Sequence, residues 1–571
     1  MTNFMSYTRG CGGSGSAVTR ITYPNNDYET FKYDANGNLT LKTDCNGAQI
    51  QYAYDALNHL TQKTYPGSST ATFAYDKIGN MTSAVDSDSS ISFAYDNLYR
   101  MTSTTQQLDS NPSKTIDYEY DPVGNRTAMT GPNDIANAYT YTLVNQVASI
   151  TDVYNNATNY YYDDGGRLTL RTYGNGTKAE YSYDEANRLT LRANKKSDDS
   201  MLSSFEYETD KTGSRTKRTT GGSAMTAQAL KYTYDNIYEI NEVYRLEPNP
   251  AVLETFSYDG VGNRTADTDY SNYSYNTNNQ LTSYDSITFV YDNNGNLTKK
   301  TQNGTDDTTY TFDYENKITR IDYPDETYSA YKYDALGRRV EKRDRSGNIA
   351  RYVYDGQNFI AEYDGSNSLV ASYLQSFGID RPISMFRAGQ MYWYHSDALG
   401  SIYQMTDSNQ AVARSYDYSA FGKIISESGS LVNPFTYTAR EYDSDSGLYY
   451  YRARYYDAGV GRFLSRDPIK SKKVAAYGRL YLYVLNDPIN NTDPRGLDDQ
   501  AFLVCVDRGT YEICMECYCS ELLGFTPKGI YEAVIRPDGT CTCICEYDPE
   551  CQYEGERAYS VGSCTTFIIA K

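Results

Sequence analysis

Histidine and tryptophan are nearly absent from this chain, which has two histidines and one tryptophan among 571 residues. The histidines are His59 and His395, so residues 498–571 contain none. Their absence from that segment excludes a Ser-His-Asp hydrolase, a histidine-dependent nuclease and a mixed Cys/His zinc site there.

Long apolar runs and excess positive charge are also missing. No stretch approaches the roughly 18 consecutive apolar residues of a membrane-spanning helix, so we predict no membrane span. The formal net charge is −20, which disfavours nucleic acid and anionic membranes as partners of the whole molecule. Residues 1–19 lack the apolar core of a secretory signal. We therefore expect either a dedicated export route or a missing N-terminal part.

Cysteine is scarce over most of the chain and abundant at its end. Cys11 and Cys45 are the only two in the first 504 residues, whereas the last 67 contain nine. Such a change indicates a separate small domain with its own means of stabilisation. The nine are Cys505, Cys514, Cys517, Cys519, Cys541, Cys543, Cys545, Cys551 and Cys564.

These nine cysteines allow two structural interpretations. Cys514, Cys517, Cys541 and Cys543 have spacings at which thiolates can converge on a zinc ion. Alternatively, up to four disulfides among the nine stabilise a fold too small for a large core and leave one thiol free. A catalytic thiol is a weaker third interpretation, because a cysteine nucleophile usually needs a histidine base.

Tyrosine, by contrast, is unusually frequent, with 63 residues, and much of it lies in a repeat. Tyr-Asp recurs about every 21 residues, and a fixed period of this length marks a repeat array. The tyrosines of the pairs are Tyr33, Tyr54, Tyr75, Tyr95, Tyr162, Tyr183, Tyr234, Tyr258, Tyr291, Tyr333 and Tyr354.

Each repeat predicts a β-hairpin. Between Phe31 and Leu41, apolar and polar residues alternate on both sides of Asn36-Gly37. This alternation predicts two strands, and Asn-Gly predicts a type I′ turn. Residues 20–365 are thus predicted to form one curved sheet of hairpins with almost no helix. The tyrosine content favours a sheet facing a wet cavity, with half-exposed strand tyrosines as the alternative.

Beyond the repeats lie three unusual motifs: Gly447–Asp457, Gly461–Ile469 and Asn486–Leu497. Together with the Tyr-Asp array, they resemble the core domain of the Rhs (rearrangement hot spot) or YD-repeat proteins. The resemblance implies an all-β fold, in which YD-repeat hairpins spiral into a hollow β-cocoon shell, with a small cysteine-rich C-terminal domain. The implied divisions are an N-terminal lead 1–19, a shell 20–365, an associated core 366–497 and a variable cargo 498–571.

The resemblance also implies an aspartyl autoprotease in the core. Carried onto this sequence, the cut falls between Leu497 and Asp498, and Asp467 and Asp493 are the carboxylate pair. Arg454 is the supporting cation, with Arg462 as runner-up. Two carboxylates that share one proton can act as acid and base. The alternative is that both aspartates, each followed by proline, are turn residues.

Two classes of function follow from this resemblance. In the first, the shell encloses its own C-terminal cargo as a toxin-like effector of bacterial competition and releases it by self-cleavage. Its partners would be an immunity protein and a secretion machinery, and its location secreted or cell-surface. In the second, the chain is a surface repeat protein that binds partners or carbohydrate, or a truncated copy. The shell needs no cofactor, and zinc enters only if the C-terminal thiolates bind it.

Overall fold

The computed structural model describes residues 17–223, 225–468 and 479–497, and the backbone of three further strands at 6–9, 532–535 and 541–544. The chain divides into two compact units, of which the larger comprises Met1–Thr8 and Val18–Thr510. The smaller comprises Arg9–Ala17 and Tyr511–Lys571.

The larger unit is built from two large antiparallel sheets and one small sheet. The strands of the first sheet are β1 Ser6–Arg9, β2 Val18–Thr22, β3 Tyr28–Tyr33, β4 Leu39–Thr43, β5 Gln49–Tyr54, β6 Leu60–Thr64, β7 Thr70–Tyr75, β8 Met81–Val85, β9 Ser89–Tyr95, β10 Met101–Leu108, β11 Lys114–Tyr120, β12 Arg126–Thr130, β13 Ala136–Tyr141, β14 Val147–Asp152, β15 Ala157–Tyr162, β16 Leu168–Thr172, β17 Lys178–Tyr183, β18 Leu189–Lys195, β19 Met201–Thr209, β20 Arg215–Gly221, β21 Gln228–Tyr234, β22 Ile240–Glu247, β23 Ala251–Tyr258 and β24 Arg264–Asp267.

The second sheet begins at Ser274 and continues through residue 365 to Ser428. Its strands are β25 Ser274–Tyr275, β26 Leu281–Tyr284, β27 Ile287–Tyr291, β28 Leu297–Gln302, β29 Asp306–Phe312, β30 Ile318–Asp322, β31 Tyr328–Tyr333, β32 Arg339–Arg343, β33 Ile349–Asp355, β34 Asn358–Asp364, β35 Leu369–Gln375, β36 Pro382–Arg387, β37 Gln390–Ser396, β38 Ile402–Thr406, β39 Val412–Tyr418 and β40 Ile424–Ser428. The small sheet comprises β41 Glu441–Asp443, β42 Leu448–Tyr451, β43 Arg454–Asp457 and β44 Arg462–Phe463.

The predicted all-β fold is confirmed, and the described residues contain no α-helix. Three short 3₁₀ turns, Pro66–Ser68, Tyr437–Ala439 and Val484–Asn486, are their only helical elements. The prediction of one sheet is wrong, because the strand ladder is interrupted between Asp267 and Ser274. Within each large sheet every strand pairs antiparallel with the next, as β3 does with β4, so nearly all strand pairing is local in sequence.

The predicted type I′ turn is also wrong. In the turn that Asp34 begins, Gly37 N–H donates to Asp34 O at 3.0 Å and Asp34 N–H donates to Asn38 O at 2.9 Å. Only Gly37 has a positive φ, +83°, whereas type I′ needs two such residues. The Asp34 carboxylate accepts the Asn38 N–H at 2.8 Å, and this side-chain bond stabilises the longer turn.

The tyrosine of the Tyr-Asp pair connects one hairpin to the next. Tyr162, at the end of β15, donates its hydroxyl to the carbonyl of Val147 at the start of β14, 2.9 Å away. The ring is half-buried while its hydroxyl is paired, a combination that suits tyrosine. The same bond, 2.6–3.0 Å long, is made by Tyr33, Tyr75, Tyr95, Tyr183, Tyr234, Tyr333 and Tyr354.

The two large sheets contact each other through the ends of their hairpins. Asn46 donates to Asp292 at 3.1 Å, 246 residues along the chain, and Lys63 pairs with Glu315 at 2.5 Å, 252 residues along. Asp292 and Glu315 lie in Tyr-Asp-type turns, whereas Asn46 lies in the turn before β5 and Lys63 lies in β6. The similar separation of these two pairs means that the first strands of the second sheet follow the first strands of the first sheet in order, as successive turns of a spiral do.

The small sheet and residues 479–497 pack against these strands and position the candidate site. Tyr449, Tyr456 and Tyr483 share a buried cluster with Phe205 and Val243 of the first sheet. Such interlocked rings bury large areas and fix one another's orientation. The aromatic segment 447–457 is therefore held rigidly within the fold.

In the smaller unit, a two-stranded ladder pairs β45 Glu532–Ile535 with β46 Cys541–Ile544. Its register places Cys541 opposite Ile535 and Cys543 opposite Ala533. The side chains of all nine C-terminal cysteines lie outside the described residues. The zinc and disulfide interpretations therefore stay predictions.

Candidate proteolytic site

Arg454 lies at the centre of the site that the sequence predicts. Its Nη2 is 3.0 Å from Asp467 Oδ2 and 3.4 Å from Asp493 Oδ2. All three side chains are almost completely buried, and the guanidinium carbon lies 3.5 Å from the centre of the Phe463 ring. One cation therefore contacts both carboxylates where water is largely excluded, and such charge-assisted contacts are strong.

Backbone contacts bring the two aspartates to this arginine. Asp467 N–H donates to Leu480 O at 2.9 Å. This bond pairs the segment after β44 with the chain around Leu480, which follows it in sequence. Asp493 begins a turn in which Gly496 N–H donates to the Asp493 carbonyl at 3.3 Å. Leu497 N–H then donates to Asp493 Oδ1 at 3.0 Å. The amide of the residue before the predicted cut thus contacts one of the two carboxylates.

Residues 452–454 hold the segment before the predicted cut. Three successive residues of this hairpin turn donate to three successive carbonyls, of residues 494–496. We call these three residues the 452–454 clamp. Its pairs are Arg452 Nη1 with Pro494 O, Ala453 N with Arg495 O at 3.2 Å, and Arg454 Nε with Gly496 O at 2.5 Å.

Gly496 makes this close approach possible. Its φ is +67°, a conformation that residues with a Cβ rarely adopt. A Cβ at this position would also collide with the carbonyl oxygen of Tyr451. The clamp and its segment can lie this close together only with glycine at position 496.

Arg462, the runner-up cation, points elsewhere. It donates to Asn263 Oδ1 at 3.2 Å and to Asn279 O at 2.6 Å, and so anchors the core to hairpin turns of the array. The structure brings together Arg454, Asp467, Asp493 and Leu497. Asp498, on the other side of the predicted cut, lies outside the described residues.

Sequence reasoning missed an ionic cluster beside the clamp. Asp380, in the turn between β35 and β36, pairs with Arg440 at 2.5 Å and with Arg452 at 2.8 Å. Arg452 lies within the motif Gly447–Asp457, but the motif does not indicate a role for its side chain. Asp380 has no sequence signal, because it lies 72 residues from Arg452.

No part of the chain that the structure describes has a cluster of His, Cys, Asp or Glu side chains suited to a metal ion. His395 is fully buried and its Nε2 lies 2.9 Å from Thr406 Oγ1. Burial and nearby Arg192 lower the His395 pKa to about 3, so this ring is neutral and structural. In the same described residues, no helix has the length and hydropathy that crossing a membrane requires.

This fold, with its core, defines a shell of the YD-repeat type. The teneurin YD-shell family matches residues 178–489, more than half of the chain, and the RHS-repeat family matches residues 33–70 and 54–90. The chain therefore belongs to the YD-shell family of RHS-repeat proteins, which confirms the predicted family.

Relatives of this chain include a bacterial nuclease and a bacterial deaminase toxin. The tRNA3(Ser)-specific nuclease WapA of Bacillus spizizenii is 32% identical over 274 residues, which are 45% of this chain and 11% of WapA. The double-stranded DNA deaminase toxin A of Burkholderia cenocepacia is 26% identical over 306 residues, which are 47% of this chain and 21% of the toxin. The chain thus spans only a small part of the length of these relatives.

Solved structures show the same fold. The complex TcdB2-TccC3-Cdc42 matches with a TM-score of 0.72 and 16% identity, over 87% of this chain and 29% of that one. The Tc holotoxin pore of Photorhabdus luminescens matches with a TM-score of 0.71 and 16% identity, over 85% and 28% of the two chains. At this identity the likeness concerns the fold alone.

Proposed function

We propose that this chain is a shell that carries residues 498–571 as cargo and severs them by hydrolysing its own peptide bond after Leu497. The observation that supports this most is the contact of Arg454 with both Asp467 and Asp493, while Leu497 N–H donates to Asp493. Asp493 also begins a turn, but a turn alone does not need a buried guanidinium that it shares with Asp467.

The proposed reaction is hydrolysis by a carboxylate pair. One carboxylate, ionised, accepts a proton from a water molecule, which attacks the carbonyl carbon of Leu497. The other, protonated, donates to the carbonyl oxygen, because two adjacent carboxylates share one proton rather than both ionising. The tetrahedral intermediate then expels the Asp498 amine, which takes up a proton. The products are a carboxylate at Leu497 and a new N-terminus at Asp498.

The 452–454 clamp supports the same proposal by fixing the substrate. Its pairs end at the carbonyl of Gly496, so the Leu497 carbonyl is the first beyond them. A peptide held in one geometry reacts faster, because the entropy of positioning is lost on folding rather than in the reaction. Because the substrate belongs to the same chain, the reaction is a single first-order turnover.

The cargo role rests on the relatives. Their names carry different activities, a tRNA nuclease and a DNA deaminase, and one matching structure is described as lacking a hypervariable C-terminal region. We propose that this chain likewise combines a common shell with a variable C-terminal effector, acting outside the producing cell. The 498–571 segment has more acidic than basic residues, which disfavours a nucleic-acid target for it.

The test is to purify the full 64.5 kDa chain and follow it on a denaturing gel, since severed cargo stays hidden if it remains bound. We expect wild type to be cut after Leu497, and Asp467→Asn and Asp493→Asn each to stay intact, because the two carboxylates act as a unit. Arg454→Lys should cut more slowly than wild type, since a compact ammonium group replaces the planar guanidinium group.

The matched control is Asp443→Asn. Asp443 is a buried carboxylate of the small sheet that pairs with Arg339 at 2.6 Å and Lys342 at 2.8 Å, so its replacement removes a buried charge away from the cut. It should still be cut. A wild-type chain that stays at full length rejects the protease proposal and leaves the surface-protein function. If Asp467→Asn and Asp493→Asn, the two variants of the carboxylate dyad, are cut as well as wild type, the cut is made by an external protease.

A further inference from the structure

A third carboxylate, in addition to Asp467 and Asp493, lies close to the candidate cleavage site. Arg452 makes a bidentate contact with the Asp380 carboxylate, with Nη1 3.1 Å from Oδ2 and Nη2 2.8 Å from Oδ1. It is also 2.5 Å from Arg440 Nη1. Parallel contacts of this kind fix the plane of a guanidinium as well as its position.

Asp380 remains charged despite its burial. Burial alone raises the pKa of the Asp380 carboxyl, but Arg440 and Arg452 outweigh that effect and hold its pKa below the usual value. The pair with Arg452 therefore persists into acidic solution.

Arg452 has a constrained position of its own. Its φ is +57°, an uncommon conformation for a residue with a side chain, which persists only where the surroundings enforce it. Its Nη1 also donates to the Pro494 carbonyl, and its Nη2 to the Gln357 carbonyl at 3.4 Å. Arg452 thus joins the segment before the cut to two hairpin turns of the second sheet.

We propose that Asp380 is a positioning residue for self-cleavage, which acts through Arg452 to hold Pro494 and thereby sets which peptide bond the carboxylates meet. The proposal rests on the proposed function above. Asp380 lies in a turn of the second large sheet, whereas Asp467 and Asp493 follow the small sheet. The second large sheet therefore determines the register of the segment to be cut.

The order of the contacts fixes the register of the segment. The 452–454 clamp pairs three donors with three consecutive carbonyls, and Arg452 makes the first pair. If that arginine is released, the remaining two pairs no longer exclude a shift of the segment by one residue. A displacement of about 1 Å at the reacting atoms can cost on the order of a hundredfold in rate.

The experiment compares Asp380→Asn with Asp443→Asn, each in the full chain. The two carboxylates are matched, since the side chains of Asp380 and Asp443 are only 9% and 3% exposed and each pairs with two cations. The measurements are the first-order rate of cleavage, the mass of the released fragment, the pH profile of the rate and the melting temperature. Arg452→Lys serves as a second variant, because it keeps the charge but cannot make two parallel contacts.

We expect the melting temperatures of Asp380→Asn and Asp443→Asn to fall by similar amounts. Only Asp380→Asn should cut more slowly than wild type, by about ten- to a hundredfold. Its pH profile should keep its shape, because the dyad is intact, and some fragments should begin at residues other than Asp498. Arg452→Lys should cut at a rate between those of wild type and Asp380→Asn.

Three results would overturn the inference while wild type still cuts: an unchanged rate and cut position in Asp380→Asn, an equal loss of rate in Asp443→Asn, or no difference between Arg452→Lys and wild type. Absence of any cut in wild type would instead reject the proposed function itself. The two failures are therefore distinguishable.

Discussion

Gly496 determines, at the scale of one residue, whether the segment before the cut can reach the clamp. We expect Gly496→Ala to prevent cleavage or to slow it by at least a hundredfold, since the added methyl would push the segment away from the 452–454 clamp. The strain of the φ itself adds on the order of 1–3 kcal/mol of destabilisation. Gel analysis of cleavage and a thermal melt measure the two effects.

Gly447→Ala is the control for that prediction. Gly447 has a similar φ of +72°, but the nearest atom to its added Cβ is 4.0 Å away. It should show the backbone strain without the collision, and so lose stability but keep cleavage. If both variants cut equally well, contact with Tyr451 does not matter.

Glu254 makes stability depend on pH. Burial raises its pKa from 4.5 to about 7, against the opposing effects of the Ala420 N–H and Arg264. Because the folded state holds this proton more tightly, the associated stability is complete below pH 4.5 and is lost as pH rises through 7. Glu254→Gln should therefore raise the free energy of unfolding by about 1–3 kcal/mol at pH 8, and change it little at pH 4.5.

Denaturant titrations at the two pH values measure this difference. Glu206→Gln, at an exposed position of the same sheet, is the control for the replacement of a carboxylate by an amide. An equal effect of Glu254→Gln at both pH values would show that proton uptake by Glu254 does not contribute.

At the scale of the element, the hairpin is stabilised by the tyrosine hydroxyl as well as by the strand ladder. Tyr162→Phe keeps the ring but leaves the Val147 carbonyl without its 2.9 Å donor. We expect a loss of about 1 kcal/mol in the free energy of unfolding. Tyr161→Phe is the matched control, because its ring is exposed by 49% and lies on the opposite face of the same strand.

Chemical denaturation of the two variants measures the difference. The repeat sequence predicts hairpins without this bond, since the acceptor belongs to the preceding strand. If Tyr161→Phe and Tyr162→Phe have the same midpoint, the bond between hairpins adds no net stability.

At the scale of the whole molecule, residues 1–497 contain two cysteines and the C-terminal segment 498–571 contains nine. We expect that segment to fold only with zinc or disulfides, because it is too small for a large core. Mass analysis after thiol labelling of the full chain, with and without reductant and chelator, distinguishes the two. A segment that stays folded with thiols reduced and metal chelated contradicts both interpretations.

The sequence by itself determined the strands, the positions of the turns and the absence of α-helices from the described part of the array. These features depend on neighbours within one repeat, such as the alternation around Asn36-Gly37 and the aspartate that begins each turn. The predicted type I′ turn was wrong, because the Asp34 side chain, rather than the Asn-Gly pair alone, selects the turn type. The family resemblance supplied Arg454, Asp467 and Asp493, but no contact among them.

Only the tertiary structure decided which arginine reaches the carboxylates and what holds the segment before the cut. Arg454 and Arg462 lie in similar surroundings along the sequence, yet one contacts Asp467 and Asp493 while the other reaches hairpin turns nearly two hundred residues away. Asp380 reaches Arg452, and through it Pro494, only because the fold brings a turn of the second sheet to the hairpin turn after β42. Such contacts depend on the curvature accumulated over many hairpins, which no single repeat encodes.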